Sequence, residues 1–216
     1  SGRAFTHTAV SSSIPAATRY VTTLDHPFLN NNLDAEFIIT QVRSGGSPAN
    51  PHPVGIRYNT MGQRWQIVNL DSAAMPVNAK FNLVIGAETF RFSVGSPSTA
   101  PIANGSLPTV SAGSTANDYA FITPRCDNPL VTNTQNVWGV YGTVAGVSGW
   151  RIQNLNLSAV KVNAAFNVLY FKNEDASKKP FVSARDRTEV TVVAGADTEL
   201  SNGYLYPIAE IRALKR

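Results

Sequence analysis

The chain has 216 residues, of which 43% are hydrophobic and 15% charged. That charge is below the roughly 25% of ordinary globular domains, so Asn, Ser and Thr carry the surface polarity, while the apolar share excludes disorder. A net charge of +4, spread along the chain, excludes the dense basic stripe of nucleic-acid binding; the single Cys126 excludes an intramolecular disulfide, and no apolar run approaches the ~20 residues of a membrane-spanning helix.

In chain order, the first strand signal is Phe37-Ile38-Ile39-Thr40, followed by a Ser-Gly-Gly-Ser-Pro turn at 44–48. Val54 to Tyr58 reads as a strand before the turn at 59–62. Trp65 and Ile67 then alternate with polar neighbours, the period of two that marks a half-buried strand. Phe81, Leu83 and Ile85 repeat that period, and Phe90, Phe92 and Val94 form a strand expected to follow the first unit. Residues 95–116, rich in Pro, Ser, Ala and Gly, read as a link. Beyond it, 120–123, 138–141, 150–154 and 166–170 carry strand signals, and 188–193 and 204–211 read as additional C-terminal strands. Helical character is confined to short turns expected at 72–75 and 158–161.

An internal repeat organises these elements. Residues 65–84 and 150–169 align without a gap, and ten of the twenty positions are identical, among them Trp65/Trp150, Asn69/Asn154, Asn78/Asn163 and Phe81/Phe166. Upstream, Phe37-Ile38-Ile39-Thr40 matches Ala120-Phe121-Ile122-Thr123, and Val54-Gly55-Ile56 matches Trp138-Gly139-Val140 with a one-residue shift. The unit is about 84 residues long. The expected architecture is therefore all-β: a first sandwich-like domain at 1–95, a linker and lead-in at 96–116, and a second domain at 117–216 with the extra strands.

The first unit carries Asp25-His26-Pro27-Phe28-Leu29-Asn30-Asn31, Asn50-Pro51-His52-Pro53-Val54-Gly55, and the Trp-x-Ile-x-Asn-x-Asp run from Trp65 to Asp71, followed by Met75-Pro76 and Ala79-Lys80-Phe81-Asn82. In these residues it resembles an uncharacterised β-domain of secreted bacterial proteins that is often repeated in tandem. The resemblance implies an extracellular setting and supplies no catalytic residue. The second unit departs from it, with Gln135 in place of His52, Asn156 in place of Asp71, and Val160-Lys161 in place of Met75-Pro76.

Candidate chemistry is sparse. His7, His26 and His52 lie far apart and no paired-Cys spacing exists, so no metal site or cofactor is expected. No Gly-x-Ser-x-Gly elbow occurs, and Cys126 falls in Pro124-Arg125-Cys126-Asp127-Asn128-Pro129, which reads as a loop. A hydrolase would have to use Asp25, His26 and Asp34 of the first unit alone, because the second has amides or Tyr119 where the first has carboxylates. Repetition without the reactive groups points to a scaffold. The expected function is a secreted, non-enzymatic structural or adhesive protein that associates with itself through β-strands or with matrix glycans. The alternative is a carbohydrate-binding module in which Trp138, Tyr141 and Tyr58 stack on sugar rings.

Overall fold

Alternation along each strand decides which side chains meet, and here both faces of the central strands are apolar. The computed structural model describes residues 3–42, 48–85, 89–93, 109–112, 118–144 and 146–171. The first half supplies β1 (Arg3–Thr8), β2 (Val21–Thr23), β3 (Phe37–Val42), β4 (Val54–Asn59), β5 (Arg64–Asn69) and β6 (Lys80–Ile85). The second supplies β7 (Thr89–Ser93), β8 (Thr109–Ala112), β9 (Tyr119–Arg125), β10 (Val137–Val144), β11 (Val147–Asn154) and β12 (Ala165–Phe171). The helical content of the described residues is one 3-10 turn, Ser11–Ser13, so the fold is all-β as expected. The expected strands at 188–193 and 204–211 lie outside the described residues.

The two halves pair their strands in the same order. In the first, β1-β6-β3 faces β2-β5-β4; in the second, β7-β12-β9 faces β8-β11-β10. The registers correspond as well. Phe5 opposes Leu83 and Phe90 opposes Val168, each partner 85 positions later (5 to 90, 83 to 168). Thr40 opposes Asn82 as Thr123 opposes Asn167, with Thr123 83 positions after Thr40 (40 to 123). The strand at Thr89–Ser93, expected as an appendage of the first unit, is instead hydrogen-bonded along β12 and occupies the place β1 holds in the first half. The segment 109–112, in the stretch read as linker and lead-in of the second unit, is the strand β8 beside β11.

Packing explains why the halves do not stand apart. Phe37, Ile39, Phe81 and Leu83 point one way, onto Ile56, Trp65 and Ile67, and form the first core. Ile122, Phe166 and Val168 meet Ile152 and Val137 in the second. Between the two lies a third cluster, Ile38 and Val84 of the first half against Phe121 and Leu169, their counterparts in the second. The β1-β6-β3 sheet is therefore apolar on both faces, one stacked on the first core and the other on the second half. Each fully buried aliphatic or aromatic side chain contributes roughly 1.5–3 kcal/mol, so the middle cluster ties the halves together about as firmly as a small core would.

A composite sheet reinforces that stack. β4 pairs in parallel with β9 at Ile56 and Arg125, joining strands of both halves into one six-stranded sheet, β2-β5-β4-β9-β12-β7. Gly55 is what permits this approach, because a Cβ there would stand 2.8 Å from Pro124 O. Side chains of the second half also serve the backbone of β3. Thr123 Oγ1 accepts a hydrogen bond from Ile39 N at 2.9 Å, and Asn167 Nδ2 donates to Phe37 O at 2.8 Å.

The expected helical turns at 72–75 and 158–161 are not helical. Ser72 and Leu157 take left-handed backbone conformations, φ 62° and 61°, which break a right-handed turn at its start. The following carbonyls are hooked by an asparagine: Asn69 Nδ2 donates to Ala73 O and Ala74 O, and Asn154 Nδ2 to Ser158 O and Ala159 O. Asn78 and Asn163 also adopt positive φ, a conformation asparagine tolerates better than most residues.

Candidate functional site

The repeated asparagines hold loops. In the first half Asn50 Nδ2 donates to Asn69 Oδ1 at 2.8 Å; in the second Asn133 Nδ2 donates to Asn154 Oδ1, also at 2.8 Å. Beside each lies a second polar pair. His52 Nδ1 sits 2.6 Å from Asp71 Oδ2, and Asn156 Nδ2 donates to Gln135 Oε1 at 2.9 Å. Asp71 Oδ1 accepts from Ala73 N, as Asn156 Oδ1 accepts from Ser158 N. Partial burial pushes the Asp71 carboxyl up, but the Ala73 N–H and the His52 ring outweigh it and hold it below its usual value. A hydrogen-bonded His–Asp pair in one half and an amide pair in the other thus make the same contact.

The candidate aromatic ligand residues do not converge. Trp138 opposes Gln153 and donates its Nε1 to Gln153 Oε1 at 2.9 Å, whereas Tyr141, three positions on along β10, points to the opposite face and meets Trp150 edge-on at 6.3 Å. Tyr58 sits at the equivalent place in the first half, edge-on to the fully buried Trp65 at 5.4 Å, so it is packing against the core. Trp150 is half-buried, whereas its counterpart Trp65 is fully buried. The strand register also corrects the alignment: Val137, and not Trp138, corresponds to Val54, since they oppose Asn154 and Asn69. Trp138 therefore takes the place of Gly55.

Trp138 lines a groove where the halves meet, between β3, β4, β9 and β10. The groove is open to solvent. Its lining includes Thr40, Gln41, Asn136 and Trp138 and no charged side chain. Two polar atoms at its wall, Thr40 Oγ1 and Gln41 Oε1, are buried without a hydrogen-bond partner. Each such orphan costs about 1–3 kcal/mol. The opposite end of Gln41 is used, with Nε2 donating to His52 O at 3.0 Å.

The remaining reactive groups are occupied structurally. Asp25 Oδ1 accepts from Asn30 Nδ2 at 2.7 Å, the His26 ring stacks on Phe5 at 4.0 Å, and Asp34 is exposed in the same loop. Cys126 donates its thiol to Ile56 O, and burial pushes that thiol up to about 12, so it is protonated at neutral pH. The segment read as a loop around it begins as strand, since β9 runs through Pro124 and Arg125. Among the described residues no cluster of His, Cys, Asp or Glu could hold a metal ion, and no helix is long and apolar enough to cross a membrane.

Sequence reasoning missed Arg125, counted there only as one of many scattered cations. It is buried at the junction, with its guanidinium 4.8 Å from the centroid of the Trp65 ring, Nε donating to Asp127 at 2.7 Å and Nη1 to Asn167 Oδ1 at 3.3 Å. No local pattern announces such a role, because its aromatic partner lies sixty residues upstream in the other half (65 to 125).

No curated protein and no solved structure matches the chain. Residues 1–85 match the family model described as a domain of unknown function, DUF7452, so the first half carries an uncharacterised domain that ends with the last residue of β6.

Proposed function

We propose that this chain is a secreted, non-enzymatic structural or adhesive protein of an extracellular matrix or filament, built from two diverged copies of one domain. The copies run from β1 to β6 and from β7 to β12. The observation that carries the reading is the pair of contacts His52–Asp71 and Gln135–Asn156. A group retained for acid–base chemistry loses that capacity on becoming an amide, while a clasp keeps its geometry. The low charge, with surface polarity carried by Asn, Ser and Thr, favours an extracellular setting. Self-association is favoured by apolar side chains at the outer end of the first copy. Phe28 and Leu33 lie in the loop after β2, which is tied to the β4–β5 hairpin by Asn31 N donating to Gln63 O, and Met61 at that hairpin is almost fully exposed.

The double variant His52→Gln with Asp71→Asn installs the second copy's clasp in the first. It is expected to keep the melting temperature within a few degrees, while Asp71→Asn alone loses about 0.5–1 kcal/mol. Hydrolysis of ester, phosphate or glycoside substrates by the natural chain, lost in the double variant, would overturn the reading. A strictly monomeric sedimentation profile at every concentration would remove the self-association part of it.

A further inference from the structure

We propose that the groove at the junction of the two halves binds a neutral saccharide, with the Trp138 ring as the apolar platform and Thr40 and Gln41 as hydroxyl partners. The inference goes beyond the scaffold role and does not depend on it. Four observations meet in one place. The groove lies where Ile39 to Gln41 of β3, Val54 of β4, β9 and β10 come together, so it exists only when both halves are assembled. Its lining carries no charge, which disfavours phosphate, nucleotide or carboxylate ligands and leaves uncharged, hydrogen-bonding ones. Trp138 is held in a fixed orientation by its hydrogen bond to Gln153, and a fixed aromatic beside amides and hydroxyls suits the apolar face and polar rim of a sugar ring. Finally, the wall holds two polar groups without protein partners, Thr40 Oγ1 and Gln41 Oε1.

Those two atoms are sheltered from bulk solvent, so they are met only after a small movement. They belong to adjacent residues of β3, both of which line the groove. The groove is open to solvent, so one residue of a larger ligand enters it while the rest stays outside. The site is therefore suited to a terminal or branch residue of a polysaccharide. This differs from a ladder of exposed aromatics, because Tyr141 and Tyr58 lie elsewhere.

The test uses the full chain in native affinity electrophoresis through gels containing xyloglucan, galactomannan or pullulan, with alginate as the acidic control. At least one neutral polymer is expected to retard the protein. Trp138→Ala should weaken retardation about tenfold or more, and Thr40→Val about three- to tenfold. Thr40→Val removes an unpaired hydroxyl while keeping the side chain's shape, so its melting temperature should hold or rise. That variant separates binding from folding if Trp138→Ala proves unstable. The proposal is overturned if no neutral polymer retards the chain, if Thr40→Val binds as the natural protein does, or if only alginate retards it. It is equally overturned if a crystal soaked in the retarding sugar shows ordered water alone on Thr40 and Gln41.

Discussion

At the scale of single residues, polar side chains are spent on holding backbone in place. His7 shows the energetic consequence. Its Nε2 lies 2.8 Å from Thr22 Oγ1 inside the first half, and burial pushes its pKa down to about 4. An unfolded chain titrates histidine near 6.5, so between those values the unfolded state binds a proton that the folded state does not. Stability is expected to be full above about pH 6.5 and to fall as pH drops toward 4, by about 1–2 kcal/mol once partial exposure is allowed for. Urea midpoints measured across that range should show the slope, and His7→Gln should flatten it; an unchanged slope in the variant would dismiss the assignment. The asparagine hooks belong to the same scale. Their recurrence was visible in the sequence, but their target was not, since a helical turn and a hooked extended loop both fit the spacing from Asn69 to Ala74.

At the scale of elements, the decisive question is what each strand edge will accept. A methyl group at Gly55 would meet Pro124 O and Leu70 Cδ2, both at 2.8 Å, whereas one at Gly142 on β10 would meet nothing within 4 Å. Gly55→Ala is therefore expected to destabilise the chain by about 1–3 kcal/mol through strain where β9 docks, and Gly142→Ala to change little. Chemical denaturation of the two variants side by side checks this, and equal midpoints would show that the β4–β9 approach is not tight. The same comparison explains the one-residue slip in the sequence alignment. Gly55 and Gly139 look equivalent, and pairing them gives the shift, but the ladders set Gly55 against Trp138. Strand register is fixed by hydrogen bonds to the partner strand, and a shared glycine is too weak a marker to locate it.

For the whole molecule, the halves share a core and hydrogen bonds, so they are expected to unfold together. Asn167 concentrates that linkage, donating to Phe37 O across the junction and accepting from Arg125. Asn167→Ala takes this partner from the Phe37 carbonyl and from Arg125 Nη1, and is expected to lower stability by about 2–3 kcal/mol. For a chain of this size that is a drop of several degrees in the melting temperature. Scanning calorimetry should show one transition for the natural chain. Two well-separated transitions would mean that the cluster of Ile38, Val84, Phe121 and Leu169 does not couple the halves.

The sequence by itself determined the all-β class, the internal repeat and the residues that fill each core. These follow from periodicity and identity along one dimension: Phe81, Leu83 and Ile67 recur as Phe166, Val168 and Ile152, each member of a pair filling the core of its own half. It also exposed the exchange of His52 and Asp71 for Gln135 and Asn156. Only the tertiary structure decided that those residues touch, that β7 completes the second half, that Arg125 covers Trp65, and that Trp138 faces a groove while Tyr141 meets Trp150 on the opposite face. The reason is physical. Which face a residue takes is set by local alternation, but which surfaces meet is set by packing between segments some eighty residues apart, and a linear pattern carries no record of that choice.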